Sequence, residues 1–306
     1  MSRSVNERKV YTVTLVIFLF TVLPMVWIFL EEYNRMVMGV AFVALVACAW
    51  FLYQNGTPSL TPDEWTPLEF EKKKKISQNT CMYKFKLRNP REKLNVPVGY
   101  HVSVKCIING KEEIRHYSPV SHDAKGYIEL IVKTYHTGHV SEYFSELKAG
   151  DKVLFRGPTG EYQYREQEKE MTQLGLVAGG SGITPMLQVL NEIVSKPLEL
   201  SRVSLLYANE TEDDILMKSE LDQMVAKYPH FEVHYVLHHA PKDWEGSTGL
   251  ITKNQMEKFL PSFAEDHRLL ICGPQNMTEI VLGFARELGW SSGIQKSKGD
   301  SKVFVF

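Results

Sequence analysis

The chain has 306 residues, 44% of them hydrophobic, with 35 basic against 36 acidic side chains. That length suffices for two ordinary domains, each with its own core, plus an appendage. The near balance of charge excludes the basic signature of a nucleic-acid binder, and four scattered cysteines, Cys48, Cys81, Cys106 and Cys272, with no C-x-x-C pair, exclude a disulfide framework, a structural zinc and an iron-sulfur cluster.

No charged residue occurs from Val10 to Leu30 or from Met36 to Tyr53, and each stretch has about the length a helix needs to cross a bilayer core. Only "EEYNR" separates them, so a tight antiparallel transmembrane hairpin is expected. Trp27 and Tyr33 would anchor one interface and Tyr11, Trp50 and Tyr53 the other. Pro24 can kink the first span without abolishing it. A cleaved signal peptide explains one such segment but not two. Arg3, Arg8 and Lys9 precede the first span, whereas the loop sets Arg35 beside Glu31 and Glu32. The positive-inside rule then places both flanks in the cytosol, and the free-thiol pattern agrees. Sequons at Asn55, Asn209 and Asn276 matter only if that topology is inverted.

After Tyr53, "QNGTPSLTPDEWTP" reads as an extended tether. "EKKKK" at 71–75 follows, read first as a solvated strand start and otherwise as a dock for anionic headgroups or an acidic partner. From Leu68 to about Tyr164 short alternating runs such as "CMYKFKL", "YHVSVKCIING", "YIELIVKTY" and "DKVLFRGP" predict an antiparallel β-barrel or sandwich. Asn109-Gly110 and Gly157-Pro158 are its turn signals and "VSEYFSEL" its one short helix. "EQEKEMT" is the natural boundary. From Leu174 strands and helices alternate, which predicts a parallel sheet with helices on both faces. The domains expected are an anchor over 1–55, a linker over 56–66, a barrel over 67–168 and an α/β domain over 169–306. Within the last, His234, His238 and His239 fall at a strand end, a structural placement with a metal site as the alternative.

Three stretches carry chemistry. "LVAGGSGITPMLQ" is an apolar strand entering a glycine turn, with Pro185 where the third glycine of G-x-G-x-x-G would stand. At a strand-to-helix junction such a turn offers free N–H groups and a partial positive charge to a pyrophosphate. Gly179, Gly180 and Gly182 allow close approach, Pro185 suits a first helical turn, and Thr184 is placed to cap the helix or bond a ligand. "LLICGPQNM" is a second strand ending in a turn, Cys272-Gly273-Pro274, and can face the first across a cleft. "EEIRHYSPVS" offers an arginine, an aromatic and a hydroxyl that alternation would set on one strand face. Such a face suits a charged group, a planar ring and a hydrogen-bond acceptor, or is merely an exposed hairpin strand.

R-x-Y-[ST]-P, then "TGHVSEYF", G-G-[ST]-G-I-T-P, a C-G-P turn and "FVF", in that order across roughly 66–306, resemble the ferredoxin-NADP reductase superfamily and its NADH-cytochrome b5 reductase branch. The hairpin lies outside the resemblance. It implies a barrel that binds FAD and an α/β domain that binds NADH, with no metal. Arg115 would pair with the FAD pyrophosphate, Tyr117 lie against the isoalloxazine or ribityl chain, and Ser118 approach flavin N5, while His116 takes no role. Ile131 and Val132 would edge the flavin, Lys133 stand near the nicotinamide nucleotide and Tyr135 near the adenine. Gly138, His139, Val140 and Ser141 match a G-K-M-S turn that holds pyrophosphate, with histidine replacing lysine. Thr184 joins the FAD set, and Phe306 would close the flavin face. Gly180, Gly182, Thr184 and Pro185 would line the NADH cleft, with Cys272, Gly273, Pro274 and Met277 at its nicotinamide end. Ser118, Lys133 and Cys272 are the expected catalytic group.

Four acids crowd "YANETEDDILM", and no basic residue lies between Arg202 and Lys218 to meet a 2′-phosphate. Asp214 matches the family's acid, which favours NADH, though a solvated acidic turn reads the same. The resemblance implies a hydride from NADH to FAD and single electrons onward to cytochrome b5 or a similar membrane haem protein. Rivals are a quinone acceptor on the same fold and an inactive membrane scaffold. The expected location is integral to the endoplasmic reticulum, with the mitochondrial outer membrane or plasma membrane as alternatives.

Overall fold

The computed structural model describes residues 17, 19–22, 32–54, 58–121, 124–134, 138–162, 164, 171–196, 201–290 and 301–306. It divides into two units, Met1–Thr57 and Pro58–Phe306.

In the first unit, helix α1 spans Glu32–Gln54. Its Val, Ala, Leu and Phe residues carry no proline to break the backbone bonds. Val37, Val40, Phe42, Val43, Trp50 and Phe51 all lie exposed along it. Among the described residues no helix is long and apolar enough to cross a membrane. Most of the first expected span, 10–30, and residues 166–170 of the expected "EQEKEMT" boundary lie outside the described residues.

The second unit opens with strands β1 (Thr66–Ser77), β2 (Thr80–Lys86), β3 (His101–Ile108), β4 (Lys111–Tyr117), β5 (Tyr127–Lys133) and β6 (Lys152–Thr159), and helix α2 (His139–Glu146). They form one antiparallel sheet in the order β4-β3-β6-β1-β2-β5. Alternation drives the shape, because Leu68, Phe70, Tyr83, Phe85, Val104, Ile128, Leu130 and Phe155 all turn inward. Phe144 of α2 shows that the sheet rolls up. Its ring lies 5.1 Å from Tyr83 and 6.0 Å from Phe85 on β2, and 5.5 Å from Tyr117 on β4. The edge strand β4 and the distant β2 thus meet on one aromatic plug.

Asn109 and Gly110 make the expected hairpin turn, both with positive φ. Two readings are corrected. Lys72–Lys75 are exposed but fall well inside β1, which starts at Thr66. Gly157-Pro158 is no turn. It lies within β6, where the pairing to β3 slips between His101 and Ser103, so the extra residue is absorbed as a bulge.

The remainder is β7 (Gln173–Gly179), α3 (Ile183–Val194), β8 (Arg202–Asn209), α4 (Lys218–Lys227), β9 (Phe231–Leu237), β10 (Ser247–Thr248), α5 (Lys253–Phe259), β11 (His267–Cys272), α6 (Gln275–Glu287) and β12 (Val303–Val305). The sheet is parallel throughout, in the order β10-β9-β8-β7-β11-β12. Both faces are covered. Leu176, Leu205 and Leu270 pack with Leu187, Leu190 and Leu221 of α3 and α4. The intervening Val177, Leu206 and Ile271 pack with Met256, Val281 and Ala285 of α5 and α6. The short β10 left no sequence signal.

Candidate active site

Where the barrel meets the parallel sheet there is a cavity of about 810 Å³, within the range of ligand sites. Its barrel wall comes from Arg115, His116 and Tyr117 on β4, with Ser118 beyond the strand end, and from Ile131, Val132 and Lys133 on β5. Gly138, His139, Val140 and Ser141, at the start of α2, complete that wall. The opposite wall comes from Ser181, Gly182, Thr184 and Pro185 after β7, and Cys272 and Gly273 after β11, with Phe306 closing it. β4 ends at Tyr117, so Ser118 reaches the cavity from the following chain and does not share the alternating face of Arg115 and Tyr117. Tyr135 lies outside the described residues.

Four expected residues do not line this cavity. Gly180 takes positive φ and turns its carbonyl to the Tyr207 hydroxyl, which donates to it at 3.0 Å. Met277 lies under both turns, since a Cβ on Gly179 or Gly273 would strike its side chain at 2.6 or 2.5 Å. Pro274 opens α6 as its cap residue. Asp214 instead pairs with Lys133, Nζ to Oδ1 at 3.1 Å, and accepts from Thr211 at 2.8 Å. Burial opposes its ionisation, but the hydrogen bonds from Thr211 and Lys133 prevail and hold the carboxyl below its ordinary range. Thr184 does not cap α3; its hydroxyl donates to the Ser181 carbonyl at 3.2 Å.

The sequence reading missed His101, Thr159, Gly160 and Glu161, which also line the cavity. His101 and His116 lie with rings 4.6 Å apart, His101 against Thr159 and His116 against Ser103, both at 3.1 Å. Burial, and then His116, push His101 down to about 4. Burial followed by Arg156 and Arg115 lowers His116 as well. Both rings are therefore neutral at physiological pH. Gly99, with φ of +94°, precedes His101 and was the available clue to a constrained approach. Burial drives the Cys272 thiol up to about 12, so it is protonated at neutral pH.

The wall suits two diphosphates. Neither α2 nor α3 has a side-chain cap, so the start of each helix presents a partial positive charge to the cavity region. The turns after β7 and β11 touch so closely that a Cβ on Gly182 would lie 2.3 Å from the Cys272 carbonyl oxygen. The Arg115 guanidinium, which meets Glu113 at 3.1 Å, adds a cation on the barrel side.

Residues 67–164 match the family model for an oxidoreductase FAD-binding domain and 176–282 that for an oxidoreductase NAD-binding domain. NADH-cytochrome b5 reductase 1 of Meyerozyma guilliermondii is 40% identical over 284 residues, covering 90% of this chain and 99% of that protein. The chain belongs to the NADH-cytochrome b5 reductase family. This reductase is also 50% identical over 268 residues to the plasma membrane-associated coenzyme Q6 reductase PGA3 of Saccharomyces cerevisiae, covering 87% of this chain and 85% of that one. The cytochrome b5 reductase domain of Ulva prolifera nitrate reductase superposes with a TM-score of 0.75 at 28% identity, covering 82% of this chain and all of that domain. The chain is an FAD- and NADH-using oxidoreductase of the cytochrome b5 reductase type.

Proposed function

We propose that this reductase works at a membrane surface, taking a hydride from NADH onto FAD and passing the electrons singly to cytochrome b5. The observation that carries the reading is the single cavity onto which Tyr117 and Ser118 open from the barrel and Cys272 and Gly273 from the sheet. FAD, when bound, supplies a two-electron acceptor that can release electrons one at a time. The protein's part is to bind and orient. Arg115 would hold the FAD pyrophosphate with its planar fork, helped by Gly138, His139, Val140 and Ser141. Tyr117, Ile131, Val132, Thr184 and Phe306 would bound the flavin, Tyr135 its adenine, and Ser118 would offer a hydroxyl at the hydride-accepting edge. Gly180, Gly182 and Pro185 would admit the NADH diphosphate, with Cys272, Gly273, Pro274 and Met277 shaping the nicotinamide end. Lys133 and Asp214 would meet NADH as a pair, where a 2′-phosphate would crowd the carboxylate.

On this reading 67–168 serve FAD, 169–306 serve NADH, and 1–55 anchor the chain through the linker 56–66. The two uncharged stretches and the exposed apolar flank of α1 support an integral anchor, with the catalytic unit cytosolic and the endoplasmic reticulum as the first expected site. A tether confines enzyme and acceptor to one surface and raises their effective concentration. A second reading, reduction of coenzyme Q, is favoured by the likeness to the Q6 reductase.

The test is a detergent-purified full-length sample assayed with NADH against cytochrome b5, coenzyme Q6 and ferricyanide. A yellow, NADH-bleachable protein with its highest kcat/KM on cytochrome b5 is the expected result. A higher value on the quinone establishes the second reading instead, and a colourless sample ends both. Retention in carbonate-washed membranes tests the anchor.

A further inference from the structure

Among the described residues, Glu210, His238 and His239 form the one group of three side chains able to ligate a metal, their ligand atoms all within 4.8 Å of one another. The parallel ladder creates the group. Asn209 faces Leu237 at the carboxyl ends of β8 and β9. The pairing then continues past both strands, with the His238 N–H donating to the Asn209 carbonyl at 2.9 Å and the His239 N–H to the Glu210 carbonyl at 2.7 Å. Those backbone bonds fix three potential ligands side by side just beyond the ends of two neighbouring strands. The His238 and His239 rings lie 4.4 Å apart at 74°, and His239 Nε2 is 4.0 Å from Glu210 Oε2. His234, the third histidine of the run, has gone elsewhere, stacked on Phe259 at 3.5 Å and bonded to Ser247 at 2.7 Å.

We infer that Glu210, His238 and His239 bind a divalent transition-metal ion of the zinc class. Two imidazoles and a carboxylate make a borderline donor set that suits zinc, copper or nickel over the oxygen-seeking magnesium and calcium. Zinc bonds of about 2.1 Å imply ligand atoms roughly 3.4 Å apart in a tetrahedron. Small side-chain rotations close the difference, and these are free to occur because the His239 and Glu210 side chains are 69% and 65% exposed. Water would complete the coordination. The ion would clasp the end of β9 to the turn that leads to Asp214, four residues on. The site stands whether or not Asp214 meets a nucleotide.

The experiment dialyses the FAD-loaded full-length protein against micromolar zinc chloride with excess magnesium, then measures bound zinc. The wild type is expected to retain about one ion per chain, and the double variant His238→Gln, His239→Gln to lose it, with flavin absorbance unchanged and the melting temperatures of the two metal-free proteins equal. Equal zinc in both proteins would place the metal elsewhere and overturn the site, as would no retention by the wild type. A single Glu210→Gln variant provides the second check, weakening retention without touching a histidine.

Discussion

Burial of His101 sets a pH dependence. Its ordinary value is 6.5 and burial lowers it to about 4. As pH falls through 6.5, the unfolded chain takes a proton that the folded chain refuses, so stability declines until about pH 4, below which both states are protonated. His116 adds in the same direction. Melting temperatures followed across that window should fall steadily in the wild type and more shallowly in His101→Gln; parallel curves would remove the histidine from the account. At the sheet side, Asp214→Ser should raise KM for NADH and narrow the preference over NADPH, with kcat toward ferricyanide changed less, since the carboxylate would act on binding. An unchanged ratio of kcat/KM for the two nucleotides would dismiss that role. Neither His101 nor the Lys133–Asp214 pair was legible as such in the sequence. Each depends on side chains 15 or more positions apart meeting through the fold, which leaves no local pattern.

Elements were more legible, because backbone chemistry writes itself into residue type. Asn109-Gly110 announced its hairpin through the positive φ both adopt, and the glycines after β7 announced a strand-to-helix turn. Gly157-Pro158 carried the same kind of signal and was misread, because a bulge inside a strand asks for the same residues as a turn. Met277 was expected to line the cavity, yet the helix periodicity of α6 carries it beneath the two glycine turns. Those turns yield a sharp prediction. In Gly182→Ala the new methyl meets the Cys272 carbonyl at 2.3 Å, and that atom is backbone with no rotamer to yield. The substitution should cost on the order of 1–3 kcal/mol in urea unfolding and weaken NADH more than FAD binding. A variant with wild-type stability and KM would show that the turns part freely.

For the molecule as a whole, polar contacts join apolar packing in tying barrel to sheet. Gln188 of α3 accepts from the Gly99 N–H at 3.0 Å and donates to the carbonyls of Pro119 at 2.9 Å and Tyr100 at 3.3 Å. Gln188→Leu leaves those groups without their partner, costing on the order of 1–3 kcal/mol. Hydride transfer in stopped flow should slow while FAD stays bound; a normal rate would make the seam rigid by other means. The broad plan of two halves, one antiparallel and one parallel, was readable from period alone, but the seam was not. Its most consequential member is the ion pair of Lys133 and Asp214, one partner from each half. Protein engineers who build hybrids by exchanging modules between related reductases must therefore carry both partners together. A mismatched hybrid would strand a half-buried charge at the joint, and, if the pair meets NADH as proposed, a change made in the flavin module would reach the nicotinamide preference of the other.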